Sequence, residues 1–528
     1  MLKYKILIAS SGIGSRVENY SKNLNKAMIT VGRKPAICYI IDKIPQDVEI
    51  VITVGHRKEY LIQFLKMVYS GRNITFVDVD KFAGEGSGLG YSILKAKEHL
   101  QCPFVFITND CITDEPLAEP VENYLGYSNE ESCDEYRTIL PYQNNVSLLL
   151  PKADNQATSF AYIGIAGIKD FDVFWNLMES GVNDGSIEQG ESYAISKMIL
   201  ETSFKCQQFT WHDTGNVKKY IETCKHFAKD DKINILKKDD EDIWFIGNKV
   251  VKFHINPDFI SERVKRVKHL GKYVPKILSS SENLYMYEKM IGDTFTYNLK
   301  HDIFELFLQW VKGFWQPVSL DEEKTKEFND QCRNFYFDKT HERINQYFYK
   351  YKRKDLCETI NGKQYGTISS ILDKVPWDTI CTGTPTNFHG DLHFENILVN
   401  KLDFNTDFKL IDWRQSFGNI VEYGDMYYDL AKLKHGFIIS HEMVNENLFG
   451  INISGKEVDF YYFRKNVLED IEKQFDAFVI ANGFDLYKVN ILTSLIFLNV
   501  AALHHHPYSD MLFYLGKTKL ATLLERGS

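Results

Sequence analysis

The chain has 528 residues, of which 44% are hydrophobic and 25% are charged, and its formal net charge is −9. This length predicts two to four domains, and the acidic balance argues against a nucleic-acid-binding protein, because such domains are usually basic. We see no signal peptide and no apolar run near the roughly 18 residues of a membrane span, and nine scattered cysteines indicate reduced thiols, so a cytoplasmic protein without a membrane partner is expected.

The first ~150 residues alternate β-rich runs with helical patterns, which predicts an α/β domain with a mixed, mainly parallel sheet. The predicted strands are "YKILIAS", "VEIVITVG", "NITFVDV" and "PFVFITND", with helices such as "KPAICYIIDKI" and "EYLIQFLKMVY" between them. A further strand and helix are expected in "FAYIGIAGIKDFDVFWNLM". The charged segment 228–242 predicts a boundary between a first domain, residues 1–228, and a second, residues 229–528.

The first strand runs into "SSGIGSR", a loop of small residues and glycines whose backbone N–H groups can close on an anion. Two cations follow this loop, and they could neutralise a triphosphate and its leaving pyrophosphate. The candidate nucleotide-binding residues are Ser10, Ser11, Gly12, Gly14 and Ser15, and the candidate catalytic cations are Arg16 and Lys26.

Three later segments add to this pattern. "GEGSGLGYSILKAKEHL" is a glycine-rich turn into a helix, "FVFITND" ends a hydrophobic strand in Asp110, and "FTWHDTGN" supplies Asp213. Two carboxylates from separate strands can hold one Mg²⁺ ion.

Residues 1–227 resemble the sugar-phosphate nucleotidyltransferase superfamily, which has a Rossmann-like fold. The resemblance implies that Gly86 and Gly88 contact the base and ribose and that Asp110 and Asp213 bind Mg²⁺. It also implies an in-line attack by a substrate phosphate on the α-phosphorus of a nucleoside triphosphate. CTP is the first choice of nucleotide and UTP the second.

After the charged segment, "DIWFIGNKVVKFHI" predicts two strands around a Gly-Asn turn, and "PDFISERVKRVKHL" predicts a helix. A second hairpin-like pair ends in "LYMYEKMIG", and the remaining residues carry aromatics at helical spacing. This pattern predicts an α+β domain with a small lobe over about 240–291 and a larger helical lobe over about 292–528.

The segment "HGDLHFENIL", followed by "LIDWR", has the spacing of a phosphoryl-transfer site. Such a site needs an acid that orients the attacking hydroxyl and oxygen ligands for Mg²⁺, and Asp391, Asn396 and Asp412 supply these roles in order.

The segment is similar to the aminoglycoside phosphotransferase and choline kinase family, which has a bilobal protein-kinase-like fold and uses ATP. The resemblance implies that Lys252 binds the ATP phosphates, that Glu262 is its partner, and that Glu288 and Met290 contact adenine.

The segment 413–433 is expected to line the acceptor side of this second site. Trp413, Tyr427 and Tyr428 could form an aromatic surface for a cation, although aromatics at this spacing more often belong to the core. Arg414 replaces an acid that some choline kinases carry, which leaves room for a sugar or an anionic polyol.

The sequence therefore predicts a bifunctional enzyme of the bacterial cytoplasm. It phosphorylates a small alcohol or sugar with ATP, then transfers a nucleotidyl group onto that phosphate to give an activated donor for capsule synthesis. One alternative is an antibiotic- or metabolite-modifying phosphotransferase with a degenerate N-terminal domain, and another is a regulatory nucleotide-binding scaffold. Whether the chain forms a homo-oligomer is left open.

Overall fold

The computed structural model describes residues 3–17, 20, 22–129, 134–154, 158–228, 240–402 and 405–527. The chain forms two compact units, the first comprising Met1–Pro257 with Ser279–Met286 and the second comprising Asp258–Leu278 with Tyr287–Ser528. The predicted boundary after residue 228 stays a prediction, and residues 229–239 of the charged segment lie outside the described part of the chain.

A nine-stranded sheet forms the centre of the first unit. Its strands, in spatial order, are Ile74–Asp78, Glu49–Val54, Lys5–Ser10, Phe104–Thr108, Phe160–Ile168, Asn123–Ser128, Phe204–Gln208, Asn145–Leu150 and Thr138–Tyr142. The helices of the unit are Ala36–Ile41, Lys58–Val68, Leu89–Lys95, Phe171–Ser180, Ser186–Gln189, Glu191–Met198 and Val217–His226. The predicted strands and helices of the α/β domain are therefore confirmed.

The prediction of a mainly parallel sheet was too strong, because parallel pairing dominates only one half. The first four strands in the order above pair in parallel, as does Asn123–Ser128 with Phe204–Gln208. Phe160–Ile168 runs antiparallel to both of its neighbours in that order, and the last two strands also pair antiparallel. The sheet is thus a mixed, Rossmann-like sheet.

The first strand shows why the centre of this sheet is apolar on both faces. Ile6 and Ile8 belong to one hydrophobic cluster, whereas Leu7 and Ala9 belong to a second. Successive residues of a strand point to opposite faces, so a strand covered on both faces reads as a continuous apolar run. The polar loop "SSGIGSR" therefore begins at the end of this buried strand.

A short two-stranded ladder stands apart from the main sheet. Cys111–Thr113 pairs antiparallel with Trp211–Asp213, and Asp213 lies opposite Cys111. The amide of Thr214 also donates to the carbonyl of Asp110, at 3.1 Å. This ladder brings together two acids that lie about a hundred residues apart in the sequence.

The hairpin Glu241–Ile246 and Lys249–His254 packs into the core of the first unit. Trp244 is fully buried, its ring centroid lies 5.3 Å from that of Phe64, and its Nε1 donates to Oγ1 of Thr30 at 2.8 Å. The hairpin therefore shares a hydrophobic cluster with the α/β sheet.

The second unit is mainly helical. Its helices are Pro257–Leu270, His301–Lys312, Glu322–Arg333, Lys339–Tyr351, Ile368–Leu372, Trp377–Ile380, Met426–Ile438, His441–Asn445, Asn466–Ala481, Leu486–Ala501 and Tyr508–Gly527. The remaining strands of the second half of the chain are Ile277–Ser280, Leu284–Glu288, Asp293–Thr294, Glu358–Ile360, Lys363–Tyr365, Pro385–Thr386, Ile397–Leu402, Asn405–Leu410, Gly424–Asp425, Phe449–Ser454 and Glu457–Tyr462. Phe417, Phe497 and Met511 are fully buried in its largest hydrophobic cluster.

Two predictions drawn from composition can be compared with the described residues. None of the described helices combines the length and the apolar character needed to cross a membrane. The eight described cysteines are all free thiols, and Cys133 lies outside the described part of the chain.

Candidate active sites

The glycine-rich loop of the first unit begins where the central strand ends, and a buried asparagine holds it there. Nδ2 of Asn25 donates to the carbonyls of Ser10, at 2.9 Å, and His56, at 2.7 Å. Gly14 has a φ of +73°, and a Cβ on it would lie 2.9 Å from Cβ of Lys26. Glycine is therefore required at this position for Lys26 to lie beneath the loop.

The second glycine-rich segment lies against the first loop through a pair of serines. Oγ of Ser11 lies 2.5 Å from Oγ of Ser92, which is in the helix Leu89–Lys95. A Cβ on Gly88 would lie 2.1 Å from the carbonyl oxygen of Ile187, so this glycine permits close backbone packing. Gly12 has no atom within 4 Å of an added Cβ and faces open space. The exposed Ser15 and the half-buried Gly86 lie in the same two segments.

The predicted catalytic lysine pairs with the first predicted metal acid. Nζ of Lys26 lies 2.6 Å from Oδ2 of Asp110, and only 9% of the lysine side chain is exposed. Burial alone would raise the pKa of Asp110. The positive charge of Lys26, hydrogen bonds from Lys26 and Thr108, and the charge of Arg16 outweigh burial and hold that pKa at about 2. Asp110 is therefore a carboxylate at neutral pH.

The second predicted metal acid lies beside the first. The amide of Gly215 donates to Oδ1 of Asp213 at 2.6 Å, and the Tyr136 hydroxyl donates to Oδ2 at 2.9 Å. Burial and the negative charge of Asp110 raise the pKa of Asp213. A cation placed between the two carboxylates would relieve this repulsion.

The groups around Gly215 have the chemistry of a cation and phosphate site. A Cβ on Gly215 would lie 2.9 Å from Oδ1 of Asp213, 3.1 Å from Oδ2 of Asp110 and 3.6 Å from a guanidinium nitrogen of Arg16. The two carboxylates fit the oxygen ligands that Mg²⁺ prefers. The structure thus brings together four predicted residues that the sequence separates: Arg16, Lys26, Asp110 and Asp213.

Asp391, the predicted orienting acid of the second unit, is surrounded by cations. Nζ of Lys432 lies 2.8 Å from Oδ1 of Asp391, and Nε2 of His393 lies 3.5 Å from Oδ2. Partial burial favours the protonated acid, but the charges of Lys432 and His393 hold the pKa of Asp391 well below its usual range. The carboxylates of Asp391 and Glu395 in turn overcome burial and raise the pKa of His393 to about 9. The acid side chain remains 41% exposed.

A buried aspartate positions the turn that carries Asp391. Asp429 accepts hydrogen bonds from the amides of His389, at 2.6 Å, and Gly390, at 2.7 Å. Burial lowers the pKa of His389 to about 3, so its neutral ring accepts from the amide of Asp391 and donates to the carbonyl of Ile411, at 2.9 Å. The turn is therefore held by buried polar groups on both sides.

The two predicted Mg²⁺ ligands of this unit lie at adjacent ends of a hairpin. Ile397 lies opposite Leu410, and the amide of Ile411 donates to the carbonyl of Asn396 at 2.9 Å. Asp412 follows directly with a φ of +61° and accepts from Arg263 at 2.7 Å. A carboxylate and an amide oxygen at neighbouring positions fit Mg²⁺ ligation.

The predicted ATP-binding residues are spread over both units. Lys252 is a buried residue of the first unit, whereas Glu262, in the helix Pro257–Leu270, belongs to the second, so their pairing stays a prediction. Glu288 is exposed at the end of its strand and Met290 follows it half-buried, and their contact with adenine also stays a prediction.

The three predicted acceptor residues have different surroundings. Trp413 is fully buried and donates to the carbonyl of Arg263, which matches the alternative that these aromatics belong to the core. The hydroxyl of Tyr427 accepts from the amide of Asp485, and Lys488 lies over its ring. Arg414 alone of the three is anchored beside the Asp391 turn, since its amide donates to the carbonyl of His389 at 2.9 Å.

Sequence reasoning missed several residues at these sites. Asn25, Arg263, Asp429 and Lys432 act through contacts that join distant segments, and the single sequence gives no sign of those pairings. His393 could have been predicted from the sequence, because it lies inside the "HGDLHFENIL" motif.

The similarity of the chain to known proteins is concentrated in its N-terminal part. The chain is 28% identical over 239 residues to the bifunctional protein GlmU of Methanococcus aeolicus, a match that covers 43% of this chain and 56% of that protein. It is 26% identical over 158 residues to mannose-1-phosphate guanyltransferase of Schizosaccharomyces pombe, which covers 28% of this chain and 43% of that one. No protein-family model matches the chain.

A solved structure of CTP:phosphocholine cytidylyltransferase from Streptococcus pneumoniae matches 43% of this chain and 99% of its own, with 18% identity and a TM-score of 0.37. The chain spans somewhat more than half the length of the first curated relatives that it matches. The N-terminal part of the chain therefore has a Rossmann-like α/β fold and is similar in sequence to a nucleotidyltransferase.

Proposed function

We propose that the chain is a bifunctional enzyme that phosphorylates a small alcohol or sugar with ATP and then joins the new phosphate to a nucleotide. The observation that carries the proposal is the presence of two separate clusters of charged groups. One cluster places Lys26 and Arg16 beside paired carboxylates, and the other places Asp391 beside a hairpin with two oxygen ligands. One reaction makes a phosphate monoester and the other consumes it.

In the first cluster, Asp110 and Asp213 would hold Mg²⁺, which supplies charge neutralisation at the α-phosphate of CTP or UTP. Arg16 and Lys26 would stabilise the negative charge of the phosphates during the in-line displacement. The substrate phosphate is already ionised at neutral pH, so this reaction requires no nucleophile from the protein.

In the second cluster, Asn396 and Asp412 would hold Mg²⁺ against the phosphates of ATP. Asp391 has a low pKa and is therefore a weak base. It would accept a hydrogen bond from the acceptor hydroxyl and orient it towards the γ-phosphate, rather than remove its proton early. Asp429 would position Asp391 by holding the turn before it.

The product would be a nucleoside-diphosphate-activated donor for bacterial capsule synthesis. Transfer to a sugar phosphate is supported by the similarity of the chain to a mannose-1-phosphate guanyltransferase. A phosphotransferase with a degenerate N-terminal domain is a poorer account, because Lys26, Asp110 and Asp213 converge.

The test is a panel of small alcohols and sugars incubated with ATP and Mg²⁺, followed by addition of each nucleoside triphosphate and mass spectrometry. The proposal expects a phosphorylated acceptor in the first step and its nucleotidyl adduct in the second. Formation of the adduct only from acceptors supplied already phosphorylated would leave the chain a nucleotidyltransferase and contradict the kinase half.

A further inference from the structure

The strongest unassigned feature of the second unit is a group of cations on one side of Asp391. Lys432 pairs with Asp391, and the charges of Arg343, Arg414 and Lys432 all act on a further lysine, Lys339. The proposed phosphate chemistry of Asn396 and Asp412 does not use these cations.

Two of these cations share one aromatic ring. Nζ of Lys339 lies 4.0 Å from the ring centroid of Phe335, and Cζ of Arg414 lies 4.9 Å from the same centroid. A Cβ on Gly390 would lie 2.6 Å from Cβ of Arg414. The base of the Arg414 side chain therefore packs against Gly390, the residue that precedes Asp391. The ring of Phe335 therefore holds both cations beside the orienting acid.

Unlike Lys432, the other three cations have no carboxylate partner at ion-pair distance within the described part of the chain. No described carboxylate pairs with Lys339 or Arg414 at ion-pair distance, and Arg343 uses one guanidinium nitrogen on the neutral Gln346 while its Nε is buried without a partner. Burial and the charges of Arg414, Arg343 and Lys432 lower the pKa of Lys339 to about 7. Crowded, half-buried cations are costly unless an anion neutralises them.

We propose that the acceptor alcohol of the second site carries a negative charge, as a carboxylate or a phosphate, which Lys339, Arg343 and Arg414 bind. This inference rests on the proposed kinase function of the same site. Its chemistry is the bidentate recognition of an oxyanion by guanidinium groups, with a lysine as an additional point charge. A cationic acceptor such as choline would be repelled by the same groups.

The reaction keeps its atoms and charges in balance. The acceptor hydroxyl oxygen forms a bond to the γ-phosphorus of ATP, the bond to the β–γ bridging oxygen breaks, and ADP leaves. The hydroxyl proton passes through the Asp391 carboxylate to solvent. The anionic group stays bound to the cations throughout, so it contributes to binding and orientation and not to bond cleavage.

The experiment compares initial rates and Michaelis constants for acceptors that differ in charge but not greatly in size. The anionic probes are D-glycerate, D-glucuronate and glycerol 3-phosphate, and the neutral and cationic probes are glycerol, D-glucose and choline. We expect kcat/KM for an anionic probe to exceed that of the neutral and cationic probes at least tenfold. Comparison of the two carboxylate probes with glycerol 3-phosphate shows whether the site prefers a carboxylate or a phosphate.

Lys339→Met should raise KM for the anionic acceptor about tenfold or more while KM for ATP stays the same, and Lys339→Arg should recover much of the loss. Lys326→Met, at an exposed lysine, is the matched control and should change neither constant. A rise in KM for ATP instead would assign the cations to the nucleotide and overturn the inference. Faster phosphorylation of a neutral or cationic probe would overturn it as well.

If no probe is phosphorylated, calorimetric titration with D-glycerate, D-glucuronate and glycerol 3-phosphate tests the anion site separately from the kinase function. Binding of an anion by the wild type that Lys339→Met weakens would retain the anion site and reject the kinase. No binding of any anionic probe would overturn the inference itself.

Discussion

Nζ of Lys26 lies 2.6 Å from Oδ2 of Asp110, although the two residues come from different segments of the first unit. The pair keeps Asp110 ionised, since its pKa lies at about 2, while the neighbouring Asp213 has a raised pKa. Two carboxylates with such different proton affinities, beside an arginine, are arranged to hold a cation and a phosphate.

Asp110→Asn should therefore stop nucleotidyl transfer while ATP-dependent phosphorylation continues. The substitution keeps the shape of the side chain but removes the charge that would hold Mg²⁺. Pyrophosphate release from CTP or UTP with phosphorylated acceptor measures the effect, and a fall of about a hundredfold or more is expected. The control is Asp78→Asn, at an exposed acid. Release at the wild-type rate in the Asp110 variant would make this acid structural.

Asp391→Asn should have the opposite effect on the two reactions. Loss of the carboxylate that orients the hydroxyl should lower phosphorylation by about 10²- to 10⁴-fold, whereas nucleotidyl transfer to phosphorylated acceptor should continue. Asp373→Asn, at an exposed acid of the same unit, is the control. Loss of both activities in a folded Asp391 variant would contradict the assignment of two separate sites.

Asp429→Ala should weaken both folding and phosphorylation. It leaves the buried amides of His389 and Gly390 without their acceptor, at a cost of roughly 1–3 kcal/mol for each group. Denaturant titration measures the free energy of unfolding, and the kinase assay measures the displacement of the turn. Unchanged phosphorylation with reduced stability would mean that the turn keeps its geometry without Asp429.

Glu191→Gln should stabilise the first unit above neutral pH. Glu191 is buried, its Oε2 lacks a hydrogen-bond partner, and burial raises its pKa to about 7. The folded state therefore keeps a proton that the unfolded chain releases near pH 4.5, and stability is lost as the pH rises from there to about 7. Gln should recover up to about 3 kcal/mol at pH 8. The control is Glu188→Gln, at an exposed neighbour, and equal stabilities at pH 8 would contradict the prediction.

Much of the fold followed from the sequence because its signals are local. Apolar runs such as "KILIAS" gave the buried strands, and the helix in "PDFISERVKRVKHL" begins at Pro257 and ends at Leu270, as predicted. The direction of the later strands was not predictable, because Phe160–Ile168 reads as an apolar run whether its neighbours are parallel or antiparallel.

The residues of the candidate sites also fall into a group that the sequence predicts and a group that it does not. Residues inside short motifs, such as Asp391 and Asn396, could be named from their spacing. Partners that depend on tertiary contacts could not, and Lys432 and Asp429 became visible only through the packing of the helix Met426–Ile438. Trp244 shows the same limit for domains, since its sequence context gives no sign that it packs against Phe64.

The most direct test of two consecutive reactions in one chain is complementation between two inactive variants. Asp391→Asn and Asp110→Asn are each incubated with ATP, CTP or UTP, Mg²⁺ and unphosphorylated acceptor, separately and mixed, and the products are followed by mass spectrometry. The account predicts that neither variant alone forms the nucleotide-activated product and that the mixture does, because the phosphorylated intermediate made by one chain is consumed by the other. A mixture of folded variants that forms no product, when wild type does, would contradict the account.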